Sequence, residues 1–119
     1  MRKTLLFVLA TLGAATPALA DQSGPVDRTG YTSIAAGDLA AAEQRIVAER
    51  KIFPRRPELM LNLASVYRRT GRESEARALY AAVLERPAIA MDLPSGAVSS
   101  SHDLASRGLA RSAQQIATR

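Results

Sequence analysis

Cysteine and tryptophan are both absent from the 119 residues. Without cysteine there is no disulfide, no thiol nucleophile and no thiolate metal site, so stability has to come from packing alone. Histidine occurs once, at His102 between Ser101 and Asp103. The three side chains do not form a triad, because consecutive helical residues point about 100° apart and cannot converge. One imidazole with no thiolate leaves too few convergent metal ligands. His102 therefore reads as an exposed residue in the first turn of a helix. No glycine-rich phosphate loop is present, and Glu73 and Glu75 suit a helix first turn, where the dipole favours negative charge. These absences point away from an enzyme and call for no cofactor and no metal. Aromatic residues make up only 4% of the chain. No basic stripe is interleaved with them, which argues against nucleic acid as a partner.

Long apolar runs are also lacking, with one partial exception. Met1-Arg2-Lys3 is followed by the apolar run Leu5 to Leu12 and then by Pro17-Ala18-Leu19-Ala20. This is the three-part plan of a secretory signal peptide over residues 1–20, with cleavage expected between Ala20 and Asp21. The run falls short of the about 20 apolar residues that span a bilayer. A retained anchor is the competing reading. No cysteine follows the small residues, so a lipid-modified N-terminus is not expected. Removal of Arg2 and Lys3 lowers the net charge from +5 to +3. The expected location is outside the cytoplasm, a bacterial periplasm first and secretion second, with no integral membrane segment after cleavage.

What the chain does have is a spacing. Gly37 recurs as Gly71 and Ala42 recurs as Ala76, each 34 residues later. A period of this size marks stacked helix pairs. Residues 21–25 read as a flexible start. A weak helix is expected from about Val26 to Ala36, closed by Gly37, with Asp38 capping the next helix. That helix runs to about Phe53, with Leu39, Ala42, Ile46 and Phe53 on its apolar face. Pro54 and Pro57 mark a turn. Leu59, Met60, Leu63, Val66 and Tyr67 form the face of a third helix, which ends at Thr70-Gly71-Arg72. Ala76, Leu79, Tyr80, Val83 and Leu84 give the amphipathic pattern of a fourth, stopped by Pro87. Residues 88–101 read as a loop or extended segment, because Pro94, Gly96 and three serines break the helical pattern. Ile89, Met91, Leu93 and Val98 should pack it across the helices. Ser100 or Ser101 can cap a last helix, 102–117, with Leu104, Ala105, Leu109, Ala113 and Ile116 on its apolar face. Gly108 weakens that helix or permits a close crossing.

Residues 57–87 resemble the tetratricopeptide repeat family. Leu63-Ala64, Tyr67, Gly71, Ala76, Tyr80 and Pro87 match its pattern of large, small, aromatic, glycine, alanine, aromatic and proline, with Met60 where the family prefers tryptophan. Residues 26–54 form a degenerate copy: Gly30, Gly37, Ala42 and Pro54 agree in type, whereas Val26, Thr29 and Ser33 replace the large residues. The resemblance implies an all-α fold, a short right-handed array of antiparallel helix pairs, with a C-terminal helix added. A generic four-helix hairpin array is the alternative. About three repeats are normally needed for stability. The last helix is therefore expected to cover the second repeat, or a homodimer supplies the missing neighbour.

The resemblance also implies a function: a non-catalytic module that binds a peptide or protein segment in a concave groove lined by the first helix of each pair. Asn62, Ser65 and Arg69 would face that groove, joined by Arg28 and Tyr31 from the first pair. An asparagine amide can both donate to and accept from a peptide backbone, and an arginine can hold a carboxylate in two-pronged fashion. Two other readings stand beside this one. One is a structural protein that self-associates. The other is a basic protein held at the membrane surface through Arg55-Arg56 and Arg68-Arg69 with Arg72.

Overall fold

The computed structural model describes residues 26–117, so the expected signal peptide and flexible start lie outside the described residues. The described chain is mostly helical. Its helices are α1 (Tyr31–Ala35), α2 (Leu39–Arg50), α3 (Pro57–Arg69), α4 (Glu73–Leu84) and α5 (Ser101–Ala117), with a two-stranded hairpin, β1 (Ala90–Asp92) and β2 (Val98–Ser100), before the last helix. Consecutive helices pack on one another, and α5 also reaches back to α3.

The 34-residue spacing is written into the backbone. Gly37 and Gly71 both adopt positive φ, 78° and 81°, a conformation that costs other residues about 1–2 kcal/mol. Each is the left-handed residue of the same helix-ending motif. Around Gly37, Asp38 N–H donates to Ser33 O at 2.9 Å and Gly37 N–H to Ile34 O at 3.0 Å. Thirty-four residues on, Arg72 N–H donates to Tyr67 O at 2.7 Å and Gly71 N–H to Arg68 O at 3.3 Å. The reversal between α1 and α2 is thus built as the reversal between α3 and α4. Asp38 then caps α2 through its Oδ1, which accepts from Ala41 N–H at 3.1 Å. Arg72 holds the equivalent position at α4 and has no such cap to offer. Its guanidinium instead reaches Glu43 on α2 in a two-pronged contact of 2.7 and 2.6 Å, while lying 4.4 Å over the Tyr67 ring.

Two apolar clusters meet on α3. One face, Leu59, Leu63 and Val66, packs with Ala42 and Ile46 of α2. The other, Met60, Leu61 and Ala64, packs with Ala76, Tyr80 and Val83 of α4 and Ala105 of α5. Tyr67 and Leu79 touch both clusters. Helix α3 is therefore the shared wall of the molecule, and six of its residues are buried.

Several sequence expectations need correction. The weak helix from Val26 to Ala36 is only Tyr31–Ala35; Arg28 and Thr29 form a turn before it. Asp27 Oδ2 accepts from both the amide and the hydroxyl of Ser33, at 3.0 and 3.1 Å, which fixes that turn. No residue of α1 is buried. Phe53 lies beyond the end of α2 and is 45% exposed, with the Arg56 guanidinium 5.9 Å from its ring. On α5 the inward residues are Ser101, Ala105, Gly108 and Ser112, not Ala113 and Ile116, which are exposed. The face is turned because α5 approaches α4 closely: a Cβ at Gly108 would collide with the Tyr80 ring. His102 is half-buried, not exposed. Its Nε2 lies 2.6 Å from Arg86 O, and since a carbonyl only accepts, that nitrogen carries the proton. Ser100 is the helix cap, its Oγ accepting from Asp103 N–H at 3.0 Å. Glu73, expected only to favour the α4 dipole, is buried, and neither carboxylate oxygen has a hydrogen-bond partner among the described residues.

Residues 88–101 contain the hairpin. Ala90 pairs with Ser100, Met91 with Ser99 and Asp92 with Val98. The reversal is a tight turn over Leu93-Pro94-Ser95-Gly96, with Gly96 N–H donating to Leu93 O at 2.9 Å and Leu93 N–H to Ala97 O at 2.8 Å. Met91 packs on the larger cluster, whereas Val98 points to solvent. Ser101 and Ile89 exchange two hydrogen bonds, of 2.8 and 3.0 Å, at the foot of the hairpin.

These contacts make three stability predictions. Gly71→Ala should lower unfolding stability by about 1–2 kcal/mol through its backbone alone, because space around the new methyl is open. Gly108→Ala should cost about 1–3 kcal/mol through overpacking, and Tyr80→Leu in the same chain should recover part of it; urea unfolding of the four proteins measures both. The Arg72 contact and its positive charge hold the Glu43 carboxyl below its ordinary range against the opposing effect of burial. A depressed carboxylate contributes stability above its unfolded pKa and loses it as pH falls through the folded value. Wild type should therefore exceed Glu43→Gln in thermal stability at pH 7, and the gap should shrink as acidification carries the pH below the ordinary glutamate range.

Candidate functional site

A groove runs along the exposed side of α3, between that helix, the hairpin turn and α5. It has two adjoining compartments. The smaller, about 310 Å³, is bordered by Thr29, Tyr31, Glu58 and Asp92. The larger, about 490 Å³, is bordered by Ser65, Arg68, Arg107 and Arg111, with Tyr80 and Gly108 at its base. Leu61, Asn62, Leu93, Pro94 and Leu104 belong to both. The shared wall is thus largely apolar, with one amide set in it.

Local structure explains each contribution. Leu61, Asn62, Ser65 and Arg68 recur at helical spacing, so they form one stripe of α3. Leu104, Arg107, Gly108 and Arg111 do the same on α5. Antiparallel packing brings the stripes together: His102 meets Arg86, and Gly108 meets Tyr80, so α5 runs back along α4. The hairpin turn places Leu93 and Pro94 across the gap.

Of the five residues expected to line a groove, Asn62, Ser65 and Tyr31 do so. Asn62 is already engaged on one side: its Nδ2 donates to Thr29 O at 2.8 Å, holding the start of the first helix pair against α3. Because only the NH₂ can donate to a carbonyl, Oδ1 is the atom left toward the groove. Arg69 and Arg28 lie outside the lining of both compartments. Arg69 is exposed, and its Nη1 reaches Ile34 O on α1 at a long 3.5 Å. One residue earlier, Arg68 is rotated about 100° around α3 and faces α5 instead. The structure thus exchanges Arg69 for Arg68. Arg28 sits exposed in the turn before α1.

Sequence reading missed Arg107, Arg111, Leu93, Pro94, Glu58 and Asp92. The arginines carried a signal, since they stand four apart on one helix with Leu104 a turn earlier. The hairpin residues carried a weaker one: Pro94 and Gly96 mark a turn, but three-residue strands are too short to show alternation.

Electrostatically the compartments differ. Arg68, Arg107 and Arg111 have no carboxylate partner among the described residues, and Arg68 Nε is buried with no hydrogen bond. Glu58 is bridged at 3.3 Å by Arg56 in an exposed pair, of the kind worth little. Asp92 has no ion-pair partner among the described residues. Among the described residues no group of three or more His, Cys, Asp or Glu side chains is placed to hold a metal ion. No helix among them is long and apolar enough to cross a membrane. Comparisons with protein-family models, curated proteins and solved structures find no match to this chain.

Asn62 links the groove to α1, which buries none of its own residues. Asn62→Ala should therefore loosen α1 selectively. Hydrogen exchange should speed up at Ile34 and Ala36 while α3 and α4 keep their protection, and global stability should fall by about 0.5–1.5 kcal/mol.

Proposed function

We propose that this chain is a non-catalytic interaction module that holds an extended peptide or protein segment in the α3–α5 groove. The observation that carries the reading is the groove itself. It has an apolar floor, a half-used asparagine amide and unpaired arginines at its border, the mixture that recognises a polypeptide rather than a small apolar molecule. The recurrence of the helix-ending hydrogen bonds at 34 residues supports a tetratricopeptide-like array as the scaffold. In that reading α5 stands as the first helix of a third, incomplete pair, and the hairpin is an insertion before it. The N-terminal signal plan supports action outside the cytoplasm.

Self-association is a second reading, favoured by one observation. Val47, Ile52 and Phe53, at the C-terminal end of α2 and just beyond it, are 38%, 67% and 45% exposed. Light scattering at high micromolar concentration separates the two, since a monomer removes the structural reading.

The groove is tested by placing a photoreactive benzoylphenylalanine at Ser65 or at Arg28 and irradiating in the native cell envelope. Ser65 should yield discrete adducts that Arg28, outside the groove, does not. Identical adduct patterns from both positions would overturn the assignment.

A further inference from the structure

The two compartments carry opposite charge. Asp92 and Glu58, the latter also bridged by Arg56 from outside the lining, border one, and no cation among the described residues lines it. Arg68, Arg107 and Arg111 border the other, and no carboxylate among the described residues lines it. Between them lies the apolar saddle of Leu61, Leu93 and Leu104. Along α3, Glu58 and Arg68 are ten residues apart, or about 15 Å at the helical rise. Extended chain covers that distance in about five residues.

Resting on the peptide-binding reading above, we propose that the groove is graded in charge and reads the direction of its ligand. Its occupant is an extended segment of five or six residues with a cationic side chain at one end, aliphatic side chains in the middle and a carboxylate at the other end. The cationic end sits beside Glu58 and Asp92. The aliphatic residues rest on Leu61, Leu93 and Leu104. The carboxylate enters the arginine compartment, where the fork geometry of guanidinium favours two-pronged contacts. Charge complementarity of this kind fixes orientation and excludes wrong partners more than it adds affinity. A uniformly acidic or uniformly basic segment would set like charges against one end of the groove.

The probe is the capped hexapeptide Lys-Ser-Leu-Leu-Ser-Glu, titrated into isotopically labelled full-length protein at about 0.15 M salt, where nonspecific attraction is screened beyond about 8 Å. A nitroxide attached after the Glu should broaden the amide signals of Arg107, Gly108 and Arg111 and spare those of Glu58 and Asp92. Moving the nitroxide to the Lys end should reverse the pattern. Arg107→Glu with Arg111→Glu, both exposed positions, should weaken binding about tenfold. Adding Glu58→Lys and Asp92→Lys should restore it with the label pattern inverted. Equal broadening from either end overturns the proposal, as does an all-glutamate version binding as tightly or no binding of the mixed peptide at millimolar concentration. Photo-crosslinking from Ser65 in the charge-inverted protein then separates the two ideas. Persisting adducts leave the groove as a binding site without charge grading, and adducts absent even from the wild-type background remove both.

Discussion

The reversals from α1 to α2 and from α3 to α4 each hang on a glycine in the left-handed region, where the preceding helix is closed by the same pair of backbone hydrogen bonds. Gly37 and Gly71 do this 34 residues apart. The constraint is local, yet it sets the direction in which the following helix leaves, and so decides which faces of α2 and α4 meet α3. Once both reversals are the same, the small residues Ala42 and Ala76 fall at matching depths, each fully buried. The rest of the packing is built around that pair of turns.

The two copies differ in how they are held. The second is held by apolar burial, with Met60, Leu61, Ala64, Tyr80 and Val83 enclosed. In the first, α1 has no fully buried residue; it packs only the half-buried Ile34 on the smaller cluster and is otherwise tethered by polar contacts. Asn62 and Arg69 bind backbone carbonyls of Thr29 and Ile34, and Asp27 binds Ser33. Beside them Arg72 grips Glu43 between the pairs. The residues that replace the missing large side chains of the first helix are therefore polar ones on the neighbouring pair. This explains why Asn62 and Arg69 stand out in a reading of the sequence for function while part of their chemistry is spent on structure.

At the other end, α5 closes the larger cluster. It does so with small residues, Ala105, Gly108 and the serines on either side, against the ring of Tyr80. Close approach leaves the longer side chains Leu104, Arg107 and Arg111 at the margin, where they form one wall of the groove. The hairpin is anchored at its foot by Ser101 and Ile89, and its turn supplies Leu93 and Pro94 as the other rim. The covering of the second copy and the shape of the groove are one packing event.

Helix number, the glycine turns, the Asp38 cap and the central role of α3 were legible in the sequence, because they rest on periodicity and on residues with strong local preferences. So was the sharing of one stripe of α3 by Asn62 and Ser65, both half-buried. The phase of α5 was legible only in part, since Leu104, Ala105 and Leu109 do pack on the larger cluster whereas Ala113 and Ile116 do not. Its most apolar residues suggested a face through Ala113 and Ile116, but the space beside Tyr80 admits only a glycine, and that contact turns the helix. The choice of Arg68 over Arg69 followed from the same event, since a groove wall exists only where α5 and the hairpin stand. Local chemistry alone specified where this chain turns and which helices it makes. Tertiary structure decided which side chains look into the groove, because that depends on how closely two helices distant in sequence can approach.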